Sequence, residues 1–358
     1  MNRHGGEKAG GGGVERPREG ARALAREAER GLSAHPFRPH PLLKGGHAQT
    51  LAAWAWPGRV RAEETRADEK RLFEVEPGVR ILARCRWHGD RAARLTVVLI
   101  HGLGGSADAP YVVGAARLAH RAGANVIRLN QRNCGGTEHL TPTLYHSGMS
   151  GDLAAVVSEL GARDGLTRVL VAGFSMGGNL ALKMAGEMGD DAPSSLLGVC
   201  AVSPALDLAA TVTRLEKPSN YAYERTFAQG LRRLVVRKKA LYPALYDTRA
   251  LARARTVRGF DELYTAPHGG FEGASDYYER ASAIRGAGRI KVPTLIIHAQ
   301  DDPLVPFAPL RRPEVLDNPH ITLAAPPHGG HVAFVSASKA ERFWAEGRLA
   351  WFLDLLSA

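Results

Sequence analysis

A serine between glycines is the residue of this chain whose setting best suits chemistry. Ser175 lies in the stretch G-F-S-M-G-G at residues 173–178, where an apolar run is followed by a helix-forming run. A serine hydroxyl is a weak nucleophile until a base takes its proton. Because glycines on both sides remove Cβ atoms that would obstruct a sharp turn, the pattern predicts a nucleophile exposed on a tight strand-to-helix turn.

A carboxylate and an imidazole follow the serine in the chain, each just past another apolar run that is typical of a strand. Asp302 follows the run at 293–299. His331 follows the run at 320–325 and a pair of glycines. We therefore predict Ser175 as the nucleophile, His331 as its base and Asp302 as the acid that orients the imidazole.

Neighbouring residues leave alternatives for the base and the acid. His328, three residues before His331, is the alternative base, although the glycine pair favours His331. Asp301 is the adjacent alternative acid, and the proline that follows favours Asp302 as the last residue of the turn. Asp207, after the sixth predicted strand, is a third candidate, because some enzymes with such a triad carry their acid there.

Backbone donors beside the nucleophile would stabilise an oxyanion. Met176 begins the helix predicted after Ser175, and its N–H is one of the unpaired donors of a helix N-terminus. The second donor is expected at the Leu103 N–H, in the H-G-L-G-G loop at 101–105. Losing one such donor typically costs about 3 kcal/mol of transition-state stabilisation. His101 of this loop is predicted to be structural.

The elements that must position these residues alternate along the chain. A hairpin is predicted over 71–75 and 79–87. The further predicted strands are 95–100, 124–129, 168–174, 197–203, 294–299 and 320–325, and the predicted helices are 111–121, 151–160, 176–187 and 339–356. Continuous apolar strands separated by helices predict an α/β fold, with a mostly parallel central sheet flanked by helices. Every candidate catalytic residue falls at a strand's carboxyl end, where such sheets bind ligands.

Four segments are predicted. Residues 1–34 are Gly-rich and then Ala/Arg/Glu-rich, and we expect a disordered or loosely helical tail. Residues 35–205 and 289–358 are the two parts of the α/β core, with an irregular segment over 35–51. Between them, residues 206–288 break the alternation, are rich in basic and aromatic residues, and indicate an inserted helical cap over the site.

Composition narrows the function classes. The 358 residues are 44% hydrophobic, and no apolar stretch approaches the roughly 20 residues of a membrane span. The polar start lacks a signal peptide's apolar core, so we expect a cytoplasmic protein. Cys85, Cys134 and Cys200 are widely spaced and are expected to be buried free thiols. We expect no cofactor and no metal, and residues 101–105 do not form a dinucleotide fingerprint.

The net charge of +11 is concentrated in one region. Residues 206–260 hold twelve Lys/Arg against four Asp/Glu. A surplus confined to the cap argues against nucleic acid and favours a local surface, for anionic lipid or for an acidic substrate. A solvated helical face is the alternative.

Further motifs lie between residue 36 and the C-terminus. They are G-H-A-Q-T at 46–50, H-G-L-G-G-S at 101–106 followed by Tyr111, R-N-C-G-G at 132–136, G-F-S-M-G-G-N at 173–179, D-Y-Y at 276–278 with Ala281-Ser282, and D-D-P at 301–303. In these motifs the sequence resembles the YheT-like branch of the α/β-hydrolase superfamily. Asn133 stands where that family usually has glycine.

The resemblance implies an α/β-hydrolase fold with an inserted cap. It implies a serine carboxylester hydrolase without a cofactor, acting on short- or medium-chain acyl esters or on acylglycerols, with Ser175, Asp302 and His331 as its triad. The alternatives are a thioesterase, amidase or acyltransferase with the same triad, or a non-catalytic binding protein with a basic cap. The expected partners are a small-molecule ester or lipid and, through the cap, an anionic membrane surface.

Overall fold

A central sheet organises the chain. The computed structural model describes residues 16–56 and 68–357, so residues 1–15 of the predicted tail lie outside it. Within the described ranges the strands are β1 (Glu69–Glu76), β2 (Val79–Arg86), β3 (Thr96–Ile100), β4 (Asn125–Leu129), β5 (Val169–Phe174), β6 (Leu196–Val202), β7 (Thr294–Ile297) and β8 (Ile321–Ala324). They form one sheet in the order β1-β2-β4-β3-β5-β6-β7-β8. Strand β2 is antiparallel to β1 and β4, and the other pairs are parallel.

Helices connect and cover these strands. Those of eight or more residues are α1 (Arg16–Ala34), α2 (Gly46–Ala55), α3 (Pro110–Arg121), α4 (Ser150–Asp164), α5 (Met176–Met188), α6 (Leu208–Leu215), α7 (Tyr221–Leu241), α8 (Ala274–Ala281) and α9 (Trp344–Ser357). Short helical turns lie at Glu138–Leu140, Gly189–Asp191, Pro218–Asn220, Arg249–Ala252, Val257–Phe260, Asp261–Thr265, Ala266–Gly269, Ile284–Ala287, Ala308–Arg311 and Pro313–Leu316.

Both faces of the sheet are buried, as the continuous apolar strands predict. Every residue of β3 is buried. Val98 packs on one face with side chains of α4 and α5. Its neighbour Val97 packs on the other face with side chains of α3 and α9. Because successive side chains of a strand point to opposite faces, one apolar strand supplies two cores.

The described part of the N-terminal region is helical. Residues 16–34, within the segment for which a disordered or loosely helical tail is predicted, form α1. Ala28 is buried, and a Cβ on Gly31 would collide with the ring of Trp351 on α9. Most of a helix's stability in a protein comes from tertiary packing of one face, and these contacts supply it for α1.

Two segments differ from the sequence prediction. Residues 46–55 form α2, although the sequence predicts an irregular segment over 35–51, and the buried Gln49 and Ala53 fix that helix against the core. The last helix begins at Trp344 rather than at residue 339. Phe343 forms an extended bridge with Val335, and this pairing excludes a helical conformation just before Trp344.

The helical segment between β6 and β7, here called the cap, leaves and re-enters the core at adjacent positions. The Leu208 N–H donates to the Ser282 hydroxyl at 2.9 Å, which joins the entry of the cap to its exit. Asn179 of α5 donates to the Ala281 carbonyl at 2.9 Å and accepts from the Ala283 N–H at 2.8 Å. The helix that follows Ser175 therefore also anchors the cap.

Candidate active site

Ser175 occupies a strained turn between β5 and α5. Its φ of 54° and ψ of −117° are unusual for a residue with a side chain. A Cβ on Gly173 would collide with the Gly177 carbonyl, and a Cβ on Gly177 would lie 2.5 Å from the His101 carbonyl oxygen. The two glycines therefore permit the sharp turn that the motif predicts.

The structure brings Ser175, His331 and Asp302 together. The distance from His331 Nε2 to Ser175 Oγ is 2.9 Å. The distance from His331 Nδ1 to Asp302 Oδ2 is 2.8 Å. With Nδ1 donating to the carboxylate, Nε2 presents its lone pair to the hydroxyl and can take its proton.

Asp302 is held as a buried carboxylate. Its Oδ1 accepts the Leu304 and Val305 N–H groups at 2.8 and 2.9 Å. Burial alone would raise the pKa of Asp302, but the His331 imidazole and its hydrogen bond, together with His298 and the Val305 N–H, hold that pKa below its usual value. The group therefore stays ionised and can stabilise a positive charge on His331.

The alternative candidates have other partners. His328 is exposed, and its Nδ1 lies 3.2 Å from Asp301 Oδ2. Asp301 also accepts the Gly330 N–H at 3.0 Å, so it fixes the backbone just before His331. Asp207 caps α6 by accepting the Ala210 N–H at 3.0 Å.

The predicted oxyanion loop lies against the nucleophile. A Cβ on Gly102 would lie 3.0 Å from the Ser175 Cβ. The Gly102 N–H donates to the Tyr111 hydroxyl at 3.0 Å. The Gly104 N–H donates to the Tyr145 hydroxyl, also at 3.0 Å. Two tyrosines therefore fix the backbone on both sides of Leu103.

The two predicted donors are not engaged elsewhere. Within the described residues, neither the Leu103 N–H nor the Met176 N–H makes a hydrogen bond. Met176 is the first residue of α5, so the partial positive charge of that helix N-terminus adds to its donor strength. The arrangement can accept an oxyanion formed next to Ser175.

His101 is a support of this loop. Its Nδ1 lies 2.7 Å from the Gly102 carbonyl, and its Nε2 accepts the Gln131 N–H at 3.2 Å. Burial lowers the pKa of His101 to about 4, although the Gly102 hydrogen bond opposes this shift. A neutral imidazole with both nitrogens engaged fits the structural role predicted for it.

Helix α2 holds the loop that carries His331, a role that the sequence did not suggest. The Thr50 hydroxyl accepts the His331 N–H at 2.9 Å. Gln49 is buried, accepts the Val335 N–H at 2.7 Å and donates to the Val335 carbonyl at 3.2 Å. Both residues belong to the G-H-A-Q-T motif, and this motif is the sequence feature that singles them out.

The held loop is strained. Val332 has a φ of 54° and Phe334 a φ of 45°, and a β-branched residue rarely adopts such a conformation. The Val332 N–H donates to the Ser203 hydroxyl at 3.0 Å, which adds support from the end of β6. Such conformations persist only where surrounding contacts over-determine them, and α2 supplies several of those contacts.

His298 is a second imidazole beside Asp302. Its Nε2 lies 3.2 Å from the Val305 carbonyl and 3.9 Å from Asp302 Oδ2. Its Nδ1 is buried and has no hydrogen-bond partner among the residues described. Burial lowers the pKa of His298 and favours its neutral form, although the Asp302 carboxylate opposes the shift.

A metal site and a membrane-spanning helix are both absent from residues 16–56 and 68–357. No group of three or more His, Cys, Asp or Glu side chains there could hold a metal ion. No helix in that part of the chain combines the length and apolar character needed to cross a membrane. Cys85, Cys134 and Cys200 are buried free thiols, as predicted.

Known proteins resemble this chain in both sequence and fold. The sequence model of the alpha/beta hydrolase fold matches residues 96–338. YheT of Escherichia coli strain K12, a protein named as an esterase, is 32% identical over 73% of this chain and 77% of its own length. The chain is a YheT-like member of the α/β-hydrolase family. Phospholipase ABHD3 of Mus musculus is 28% identical over 70% of this chain and 60% of its own length.

A solved structure agrees with this family. The Pyrococcus furiosus esterase Pf2001 aligns with a TM-score of 0.56 at 19% identity, over 84% of this hydrolase and 97% of that chain. At this identity the likeness concerns the fold, which has the predicted mostly parallel sheet flanked by helices. Family membership makes this protein an enzyme of the ester-hydrolase class.

Proposed function

We propose that this hydrolase is a serine carboxylester hydrolase with Ser175, His331 and Asp302 as its triad. The proposal is carried by one observation, the continuous path of 2.9 and 2.8 Å contacts from the Ser175 hydroxyl through the imidazole to the buried carboxylate. The N–H groups of Leu103 and Met176 complete the site as the oxyanion donors.

The reaction proceeds through an acyl-enzyme. His331 Nε2 takes the hydroxyl proton as Ser175 Oγ bonds to the ester carbonyl carbon, and the carbonyl oxygen becomes an anion held by the Leu103 and Met176 N–H groups. The C–O bond to the alcohol then breaks, and His331 returns its proton to the leaving oxygen. Water repeats both steps, again through His331, and releases the acid from Ser175.

The walls of the site support a substrate class. Met176 and Leu103 pack with apolar cap side chains that include Leu231 and Val235 of α7. An apolar wall beside the oxyanion donors suits an acyl chain better than a charged group. A relative named as a phospholipase also supports a lipid ester. We propose short- or medium-chain acyl esters or acylglycerols as substrates.

The test is hydrolysis of p-nitrophenyl esters from acetate to palmitate. Ser175→Ala should lower kcat by at least about 10⁴-fold. His331→Gln should act similarly, whereas His328→Gln, on the same loop, should retain activity close to wild type. Wild-type turnover that survives Ser175→Ala would refute the triad, and no turnover on any chain length would refute the substrate class.

A further inference from the structure

Helix α2 has an apolar outer face. Leu51 is 54% exposed and Trp54 is 83% exposed, and Leu42, just before the helix, is 84% exposed. Leu51 and Trp54 share one side of the helix with His47, opposite the buried Gln49. A single exposed apolar side chain is ordinary, but three large ones within a short segment mark an interaction surface.

The chain segment that carries this face is basic. Residues 35–56 contain no Asp or Glu, and Arg38 and Lys44 are exposed there. In the cap, the exposed Arg225 follows two residues after Tyr223, whose ring contacts His47 of α2. Apolar side chains among cations are the composition that binds the interface of an anionic bilayer.

Contacts place α2 beside both the cap and the catalytic loop. The His47 ring stacks on Tyr223 of α7 with centroids 5.8 Å apart. Tyr221, two residues earlier and the first residue of α7, is 61% exposed. On the buried side of α2, Thr50 holds the His331 backbone. A surface that bound α2 would therefore meet the protein close to the active site.

We propose that Leu42, Leu51 and Trp54, together with the cations around them, dock this hydrolase on the surface of an anionic phospholipid bilayer. The inference deepens the proposed function and rests on it, since docking would bring lipid esters to Ser175. A second copy of the chain fits this face less well, because it would bring further cations against Arg38 and Lys44.

The experiment measures binding of the full chain to vesicles of phosphatidylcholine, with or without phosphatidylglycerol. The Ser175→Ala background prevents lipid turnover during the measurement. Binding should require phosphatidylglycerol and weaken with salt. The combined substitution L42S/L51S/W54S should lower the partition coefficient by about tenfold or more, because three apolar anchors are lost. Two exposed leucines elsewhere give the matched control L72S/L316S, which should bind like the parent.

Outcomes for docking and for catalysis can be separated. The triple variant with Ser175 intact should hydrolyse a soluble p-nitrophenyl butyrate like wild type and lose activity on vesicle-borne esters. Equal vesicle binding by the parent and the triple variant, or no binding by the parent, would overturn the docking proposal. A dimer that the triple variant dissociates would also overturn it and make the face a protein interface. Vesicle binding without hydrolysis of any ester would instead overturn the proposed function alone.

Discussion

The Thr50 hydroxyl accepts a 2.9 Å hydrogen bond from the backbone N–H of His331, 281 positions later in the chain. The same hydroxyl donates to the Gly46 carbonyl at 2.7 Å, so both of its hydrogen-bonding roles are used. Thr50 lies outside residues 96–338, which match the family model. Part of what holds the proposed base therefore comes from a helix that precedes that region.

Thr50→Val tests this positioning role. Valine keeps the shape but leaves the His331 N–H without its acceptor, and the strained loop loses a support. We expect kcat on p-nitrophenyl butyrate to fall about tenfold to a hundredfold with little change in KM. Thr50→Ser restores the hydroxyl and should restore most of kcat. A Thr50→Val enzyme that lost thermal stability but kept its kcat would contradict the role.

Tyr145→Phe tests the oxyanion loop. The variant leaves the Gly104 N–H without the hydroxyl that now accepts it, so the backbone at Leu103 is held less firmly. We expect kcat to fall about tenfold, because the donor is misplaced only in part. Affinity for a boronic acid that mimics the tetrahedral intermediate should fall by a similar factor.

A tyrosine of the cap provides the control for the Tyr145→Phe experiment. The Tyr242 hydroxyl donates to the His139 carbonyl at 2.9 Å, on an exposed surface. Tyr242→Phe should therefore keep both kcat and boronate affinity close to wild type. If the two phenylalanine variants behaved alike, the Tyr145 hydroxyl would have no part in holding the oxyanion loop.

Local patterns explain what the sequence predicts well. Strand positions follow from apolar runs, so Ser175, Asp302 and His331 could each be placed at the carboxyl end of a strand. The spacing of the glycines around Ser175 is enough to predict the sharp turn. These signals act between neighbours in the chain, and in the structure the His331 side chain contacts both Ser175 and Asp302.

Contacts between distant segments explain what the sequence does not predict. Gln49 and Thr50 acquire their role from a loop nearly three hundred positions away. Helix α1 has a polar, charged composition, and its order comes from packing on α9 and β8. Composition and periodicity are local properties and do not identify which distant segments contact each other. The role of Gln49 and Thr50 and the order of α1 therefore follow only from the folded structure.

The variants Asp302→Asn and Asp301→Asn test which of the two adjacent carboxylates is the acid of the triad. The amide at position 302 cannot stabilise a positive imidazole and can favour the wrong tautomer of His331, so we expect kcat to fall about 10³- to 10⁴-fold. Asp301→Asn keeps an oxygen for the Gly330 N–H and should cost less than about tenfold. Steady-state kinetics on one soluble ester measures both. Similar losses of kcat in the two variants would contradict the assignment of Asp302, rather than Asp301, as the acid of the triad.

Asp261 gives the cap a pH-dependent stability. The group is buried and accepts the Thr265 and Tyr278 hydroxyls at 2.7 and 2.8 Å. Burial raises the pKa of Asp261 to about 6, although both hydrogen bonds oppose the shift. A carboxyl whose folded pKa is raised contributes stability below its unfolded pKa and loses it as pH rises through the folded value.

Asp261→Asn should remove this dependence. Between about pH 5 and about pH 7.5, the wild type should lose about 1 kcal/mol of unfolding free energy relative to the variant. Thermal unfolding at several pH values measures the difference. The control is Asp276→Asn, because hydrogen bonds from the Glu272 N–H and from Arg280 lower the pKa of Asp276, and its effect should stay constant over this range. A wild-type-to-Asp261→Asn difference that is equally constant would show that Asp261 ionises in the folded cap as it does in the unfolded chain.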